Sequence, residues 1–146
     1  MVVKVINQSE RALTLVEVLA VLVIVAIVGG LVGPAIFNQV AKGKANAAKA
    51  QISNLEKSLD TFYLDCGFYP GTEPGLDALA NEPDVGRQCS GYDPKGYVED
   101  RKLPKDPWGL DFFYVFPGEN RPDSYDLYSA GPDGEPNTED DVTNWD

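Results

Sequence analysis

The sequence predicts an α+β fold in which a long N-terminal helix packs on a small antiparallel β-sheet with a loop-rich C-terminal region. Three observations predict it. Residues 13–34 form an almost unbroken apolar run, apolar side chains then recur at helical spacing to about residue 64, and Gly and Pro punctuate residues 65–146. The 146 residues suffice for one compact head with a modest core, preceded by a rod.

Charge is unequally distributed along the chain. Residues 1–59 hold six basic and three acidic side chains, whereas residues 60–146 hold six basic and 20 acidic ones, and histidine is absent. The acidic excess argues against a nucleic-acid partner, since such binding depends on basic residues that neutralise phosphates. Without histidine, Ser-His-Asp and Cys-His nucleophiles are excluded. Acid–base catalysis by paired carboxylates is the enzyme class that stays open.

The apolar run, residues 13–34, predicts a membrane-spanning helix. At about 1.5 Å per residue it is roughly 33 Å long, the thickness of the hydrocarbon core of a bilayer. The alternative is a cleaved signal peptide. The run is longer than an apolar signal region of about 7–15 residues, and no small-x-small cleavage site follows it. We therefore expect the segment to be retained.

Glu17 is the one charged residue inside this run. A carboxylate in a spanning helix costs on the order of 3 kcal/mol, so it indicates a function and a partner. The alternative is that Glu17 lies near the interface and reaches water. No Lys, Arg or His lies in the run. A cationic partner must therefore come from another molecule or from a new chain terminus.

An amphipathic helix is predicted to follow over residues 35–64. Its apolar residues recur at spacings of three and four, which is typical of a helix with one buried face: Ala48, Ile52, Leu55, Leu59 and Phe62. We expect this face to lie under the globular head, residues 65–146, and to complete the core there.

Two short strands are predicted in the head, at Asp111–Phe116 and Ser124–Ser129, and the turn-rich segment between them favours antiparallel pairing. Gly75–Ala80 is predicted to form a helical turn that places Leu76 and Leu79 in the core.

Cys66 and Cys89 are the two cysteines of the chain. In an oxidising compartment they could pair, which would contribute about 3 kcal/mol through loop closure. The alternative is two free thiols.

Five acidic residues lie within nine positions near the C-terminus: Asp133, Glu135, Glu139, Asp140 and Asp141. Calcium prefers six to eight oxygen ligands, which carboxylates and loop carbonyls supply. The spacing is not that of an EF-hand, and a solvated acidic turn is an equal alternative.

The N-terminus resembles the cleavage signal of type IV pilins and pseudopilins. A short basic leader, residues 1–12, precedes the segment ALTLVE. The resemblance implies that a prepilin peptidase cuts between Ala12 and Leu13 and methylates the new amino group of Leu13. Glu17 is then the fifth mature residue, where the family has glutamate, and would neutralise that amino group on a neighbouring subunit. The family usually has Gly and Phe at the cut, where this chain has Ala and Leu.

Pro34 falls at the twenty-second mature position, where many family members have a helix-kinking proline. Together with Gly29, Gly30 and Gly33 it predicts either a segment that stretches during assembly or a close helix–helix contact.

Three segments of the head narrow the resemblance to one family. They are YPGTEPGLDAL from Tyr69, LPKDPWG from Leu103, and the C-terminal YSAGPDG…DDVTNWD from Tyr128. Together they resemble the major pseudopilins of type II secretion systems, general secretion pathway protein G. The resemblance implies a type IV pilin-like fold and a structural subunit rather than an enzyme. It also implies a calcium site, held by the side chains of Asp133, Asp140 and Asp141 and the backbone carbonyl of Ala130.

The resemblance also implies where the protein works. The chain would cross the bacterial inner membrane once, in contact with its lipid, with its head in the periplasm, and would polymerise with itself into a pseudopilus. Its partners would be the prepilin peptidase and methyltransferase, minor pseudopilins, a membrane platform protein, a cytoplasmic assembly ATPase and the outer-membrane secretin, but no nucleic acid. A surface type IV pilin and an unprocessed, membrane-anchored calcium-binding module are the alternatives.

Overall fold

The computed structural model describes residues 14–145, except for the side chains of residues 31–36. Helix α1 spans Leu15–Cys66. Thr14 caps its first turn, since its Oγ1 accepts a hydrogen bond from the backbone N–H of Glu17 at 3.2 Å. Gly67 ends the helix: its φ of 76° is left-handed, and its N–H donates to the carbonyl of Tyr63 at 2.7 Å. The chain divides between Val40 and Ala41 into two compact units, which we describe separately.

The first unit exposes its apolar side chains. From residue 15 to residue 28, eleven large hydrophobic side chains are 42–78% exposed. Among the described residues, no helix has a stretch that is long and apolar enough to cross a membrane. Part of the predicted span 13–34 lies outside these residues, namely Leu13 and the side chains of 31–34.

The second unit has its core along one face of α1. Every residue of the predicted apolar stripe is buried, with exposures of 0–3%: Ala48, Ile52, Leu55, Leu59 and Phe62. The 3-10 helix Gly75–Leu79 adds Leu76 and Leu79 to the same core. The expected helical turn is therefore present, and the amphipathic face lies under the head as predicted.

A three-stranded antiparallel sheet covers the other side of this core. Strands β1 (Phe113–Val115), β2 (Asp126–Ser129) and β3 (Val142–Thr143) lie in the order β1-β2-β3. Tyr114 faces Leu127 in the first pair and Ser129 faces Val142 in the second. The α+β fold is confirmed, although both predicted strands are shorter than expected and β3 was not predicted.

The β1–β2 connection is held by a buried carboxylate. Asp126 is 3% exposed, and its Oδ2 accepts hydrogen bonds from the backbone and the side-chain amide of Asn120, at 2.8 and 3.0 Å. Its Oδ1 accepts from the backbone N–H of Arg121 at 3.0 Å. A buried polar group without such partners would destabilise the fold, so Asp126 both closes the turn and satisfies its own carboxylate.

Candidate functional site

The acidic C-terminal loop, residues 130–141, begins beside a second buried carboxylate, that of Asp106. Its Oδ1 accepts hydrogen bonds from the backbone N–H groups of Trp108 and Leu110, at 3.0 and 2.8 Å. Its Oδ2 accepts from the hydroxyl of Ser129, whose Oγ accepts in turn from the N–H of Gly131 at 3.3 Å. Asp106 thus joins the LPKDPWG turn to strand β2 and to the start of the acidic loop.

Gly131 brings the two ends of the acidic loop together. It has a left-handed φ of 66°, and a Cβ at this position would lie 2.4 Å from the carbonyl oxygen of Asp140 and 3.0 Å from its Oδ2. Real Cβ atoms do not approach backbone oxygens so closely, and this φ is unfavourable for other residues. Glycine is therefore required here for the backbone to approach Asp140.

Two of the predicted ligands meet at one hydroxyl. Thr138 Oγ1 lies within hydrogen-bond distance of Asp140 Oδ1 at 2.7 Å and of Asp141 Oδ1 at 3.3 Å. Its hydrogen bond is the main cause that lowers the pKa of Asp140 below its ordinary value. The other oxygens accept from backbone N–H groups, Asp140 Oδ2 from Asp133 at 3.4 Å and Asp141 Oδ2 from Asn137 at 2.8 Å.

The third predicted ligand, Asp133, contacts Asp140 through its backbone N–H. Its Oδ1 accepts from the N–H of Glu135 at 2.9 Å, which is a local turn contact. Within residues 14–145, no group of three or more acidic, histidine or cysteine side chains is arranged to hold a metal ion. The donors are oxygens of the kind that calcium prefers. In the described conformation, however, the three carboxylates do not form a complete metal site.

The last described residues connect the sheet to helix α1. Asn144 Oδ1 accepts from the backbone N–H of Leu127 at 3.0 Å, and its Nδ2 donates to Glu56 Oε1 at 3.2 Å. The guanidinium of Arg121 lies 3.6 Å from the same Glu56 oxygen. The ring of Trp145 packs edge-on against Tyr128, with centroids 5.6 Å apart. The Asn144–Trp145 pair of the C-terminal motif therefore has a structural role: it joins the end of the chain to strand β2 and to helix α1.

Cys66 and Cys89 form a disulfide with their Cα atoms 5.0 Å apart. Cys66 is the last residue of α1, so the bond fixes the segment 67–88 to the end of the helix. At the other end of the helix, the Glu17 backbone lies in the first turn. Ala12 and Leu13, and the side chain of Pro34, lie outside the described residues.

Sequence reasoning assigned no contact to three residues that shape the acidic loop: Asp106, Gly131 and Thr138. A signal existed for Thr138, since it lies two positions before the Asp140–Asp141 pair and carries an oxygen donor. Asp106 gave no such signal, because it is 23 residues distant from its partner Ser129. Both Asp106 and Gly131 lie within the motifs that carried the family resemblance.

A long N-terminal helix that begins within a methylation motif and packs on a small antiparallel sheet defines the pilin-like class of filament subunits. Residues 7–33 match the model of the prokaryotic N-terminal methylation motif. Residues 35–145 match the model of type II secretion system protein G.

Relatives and a solved structure agree with this class. The chain is 42% identical to the type II secretion system core protein G of Escherichia coli K12 over 95% of this chain and 93% of that protein. It is 40% identical to the core protein G of Pectobacterium carotovorum over 93% and 85%. It is also similar to the crystal structure of the major pseudopilin of enterohaemorrhagic E. coli, with 41% identity and a TM-score of 0.68, over 74% of this chain and 87% of that one.

The chain belongs to the type II secretion system protein G family. Its role is that of a structural subunit of a pseudopilus, and it is not an enzyme.

Proposed function

We propose that this chain polymerises into a periplasmic pseudopilus that pushes folded exoproteins through an outer-membrane secretin. One observation carries the proposal. The first unit exposes eleven large hydrophobic side chains that the described residues leave uncovered: Leu15, Val16, Val18, Leu19, Val21, Leu22, Val23, Ile24, Val25, Ile27 and Val28. Such a surface is unfavourable in water, so it requires lipid before assembly and other copies of the helix after it.

The path to the filament begins in the inner membrane. We propose that a prepilin peptidase removes residues 1–12 and methylates Leu13, while the chain spans the membrane with its head in the periplasm. The match of residues 7–33 to the methylation motif supports this step. A platform protein and a cytoplasmic ATPase would then add the subunit to the filament beneath the minor pseudopilins. The secretin would receive the tip of the filament.

Glu17 is proposed to set the register between neighbouring subunits. Its carboxylate would neutralise the cleaved amino group of a neighbour, in a medium where an unpaired charge is costly. Thr14 caps the helix by accepting a hydrogen bond from the backbone N–H of Glu17, so a substitution of the Glu17 side chain does not remove this cap. In the described part of the chain the Glu17 side chain is exposed, which suits a role between subunits.

We expect Glu17→Gln to leave the protein in the membrane and to reduce pseudopilus assembly and exoprotein secretion at least about tenfold, because breaking a buried ion pair costs about 3 kcal/mol or more. Filaments counted by electron microscopy and secreted exoprotein measure the effect. Glu10→Gln is the matched control, since residue 10 leaves with the leader. Normal filaments in Glu17→Gln would show that the pairing is wrong.

We further propose that calcium binds the acidic loop, with Asp133, Asp140, Asp141 and the carbonyl of Ala130 as ligands. Support comes from the donor chemistry and from the meeting of Asp140 and Asp141 at the Thr138 hydroxyl. Because these carboxylates accept hydrogen bonds from the loop, binding would replace those bonds with metal ligation. Bound calcium would neutralise the acidic cluster and hold the loop against Gly131.

Calcium is expected to raise the melting temperature of the purified full chain, since a ligand at 100 times its Kd adds about 2.7 kcal/mol to stability. EDTA should reverse the rise, and Asp140→Asn with Asp141→Asn should abolish it. Asp123→Asn, an exposed acidic residue outside the loop, should preserve it. If calcium and EDTA give the wild-type chain the same melting temperature, the chain has no stabilising calcium site.

A further inference from the structure

Helix α1 carries three lysines in a stretch that has no acidic residue. Between Glu17 and Glu56 the sequence contains neither Asp nor Glu, and its only charged residues are Lys42, Lys44 and Lys49. In the part of the chain that the structure describes, no carboxylate forms an ion pair with any of the three. Their counter-charge must therefore come from solvent ions or from another molecule.

The three lysines surround the helix, so we call them the lysine ring. At 3.6 residues per turn, Lys42 and Lys49 lie about 20° apart around the helix axis, and Lys44 lies roughly 140–160° from both. Lys44 faces the head, because its Nζ lies over the ring of Trp108 at 5.9 Å from the centroid, whereas Lys42 and Lys49 are exposed. A neighbouring subunit would meet one side of the helix, whereas a layer of lipid headgroups surrounds it on all sides.

The position of the ring along the chain matches the surface of a bilayer. Lys42 lies eight positions after the end of the predicted span 13–34, and exposed apolar side chains, Phe37 and Val40, come between. At about 1.5 Å per residue this interval is roughly 12 Å. A headgroup layer is about 5–8 Å thick, and the long stem of a lysine lets its ammonium group reach back towards it.

Trp108 lies beside the ring and adds a second feature of membrane surfaces. It is half-buried in the LPKDPWG turn, which Gln51 holds on α1 by donating from its Nε2 to the carbonyl of Lys105 at 3.1 Å. Lys105 is itself paired with Asp111, so it adds no unpaired charge to the turn. Tryptophan is enriched where membrane meets water, since its ring suits the apolar side and its N–H suits the headgroups.

We propose that the lysine ring and Trp108 bind the phosphate groups of anionic lipids in the periplasmic leaflet and hold the head against the bilayer before assembly. Residues 60–146 hold 20 acidic and six basic side chains, so an anionic membrane repels most of the head. The ring supplies a local attraction at the point where α1 leaves the lipid. The inference rests on the proposed function in one respect, namely that α1 spans the membrane.

The first experiment measures whether Trp108 reaches the headgroups. The full chain with Trp145→Phe, in which Trp108 is the one tryptophan, is reconstituted into vesicles that contain a fixed share of headgroup-nitroxide phosphatidylcholine as quencher. The remaining lipid is phosphatidylcholine alone or a mixture with phosphatidylglycerol. We expect at least about twofold stronger quenching with phosphatidylglycerol, and loss of the difference in about 1 M salt, which screens charges beyond about 3 Å. Equal quenching in the two vesicles would overturn the proposal.

The second experiment assigns the effect to the lysine ring. Lys42→Gln with Lys49→Gln should reduce quenching with phosphatidylglycerol to the level in phosphatidylcholine, while Lys44 stays over Trp108 and keeps the turn in place. Lys57→Gln, at an exposed lysine further along the same helix, is the matched control and should keep the full effect. The proposal is wrong if the double variant also keeps it.

A second reference uses the other tryptophan. In Trp108→Phe the remaining tryptophan is Trp145, whose neighbour Asn144 contacts Glu56, twelve positions beyond Lys44 on α1. Quenching of Trp145 should not depend on phosphatidylglycerol. The same dependence at Trp145 would mean that the whole head, rather than the ring and Trp108, contacts the lipid.

The competing partner is a second copy of the chain, whose acidic loop could neutralise the lysines. A carbodiimide joins an amine to a carboxylate that lies in contact with it. Cross-links from Lys42 or Lys49 to another copy in vesicles with phosphatidylglycerol, together with an unquenched Trp108, would overturn the lipid site in favour of a contact between subunits.

Pseudopili counted in cells separate this inference from the proposed function. If Trp108 shows the expected dependence on phosphatidylglycerol and the wild-type chain forms no pseudopilus, the proposed function fails and the lipid site stands. If pseudopili form and Trp108 is quenched equally in both vesicles, the lipid site fails and the proposed function stands.

Discussion

Asp106 shows how a single side chain can organise a loop that it does not belong to. The carboxylate is 4% exposed and receives three hydrogen bonds, two from backbone N–H groups and one from Ser129. Hydrogen bonds to an ionised acceptor are about twice as strong as neutral ones, so three donors offset much of the cost of burying the charge. Through Ser129 the effect reaches Gly131 and hence the acidic loop.

Asp106→Asn is expected to lower the free energy of unfolding by about 2–3 kcal/mol. The N–H₂ group of the new side chain cannot accept a hydrogen bond, so at least one of the donors that now bind the carboxylate would lose its partner. Urea denaturation of the full chain measures the change. The matched control is Asp111→Asn, whose exposed ion pair with Lys105 is worth about 1 kcal/mol or less. Equal losses in the two variants would contradict the role assigned to Asp106.

In the acidic loop, single residues were predictable from the sequence only where their partners were near in the chain. The acidic cluster at residues 133–141 could be recognised in the sequence because its members lie within nine positions. Thr138, whose hydroxyl joins Asp140 to Asp141, lies two residues before Asp140, so the sequence alone could have indicated it as part of the loop's contacts. The link from Asp106 to Ser129 requires the fold, since no local pattern relates a turn to a strand 23 residues later.

At the scale of elements, the second half of helix α1 is the foundation of the head. Its stripe is buried to 3% exposure or less, while Leu64 on the same helix is 81% exposed. Phe62 makes edge-to-face contacts with the rings of Phe68 and Tyr97, at centroid distances of 5.8 and 5.3 Å. Phe62 therefore joins the helix to two irregular parts of the head, one at Phe68 and the other at Tyr97.

Leu59→Ala should destabilise the head by about 2–5 kcal/mol, because it removes a fully buried side chain and leaves a cavity. Leu64→Ala, at an exposed position of the same helix, should change stability by less than about 0.5 kcal/mol. Circular dichroism during thermal unfolding compares the two. A similar loss in both would mean that the stripe is not the principal core contact of the helix.

Elements with a strong period were predictable, and short irregular ones were not. The 3.6-residue repeat of α1 needs no knowledge of the rest of the chain, and the stripe was correct at every position. Strand β3 has two residues, too few to show alternation, and forms because Val142 and Thr143 meet β2. The 3-10 turn Glu99–Arg101 has left-handed backbone at Asp100 and Arg101, which these residue types do not signal.

At the scale of the whole molecule, function was predictable because several motifs occur together in one order. Any one of the three head segments is a weak signal. Their succession behind a methylation motif is what indicated the family, and the matches over residues 7–33 and 35–145 agree with it. Composition contributed by exclusion, since a chain without histidine and with an acidic head leaves few classes of enzyme or nucleic-acid binder.

The contact between Glu56 and Asn144 joins residues 88 positions apart. Chains whose stabilising contacts are distant in sequence fold slowly, because loop closure must precede those contacts. The apolar face of α1 emerges first during synthesis, and the strands that cover it emerge last. During that interval the apolar face is uncovered and can associate with other apolar surfaces. We therefore expect a delay in the arrival of the strands to favour aggregation over folding.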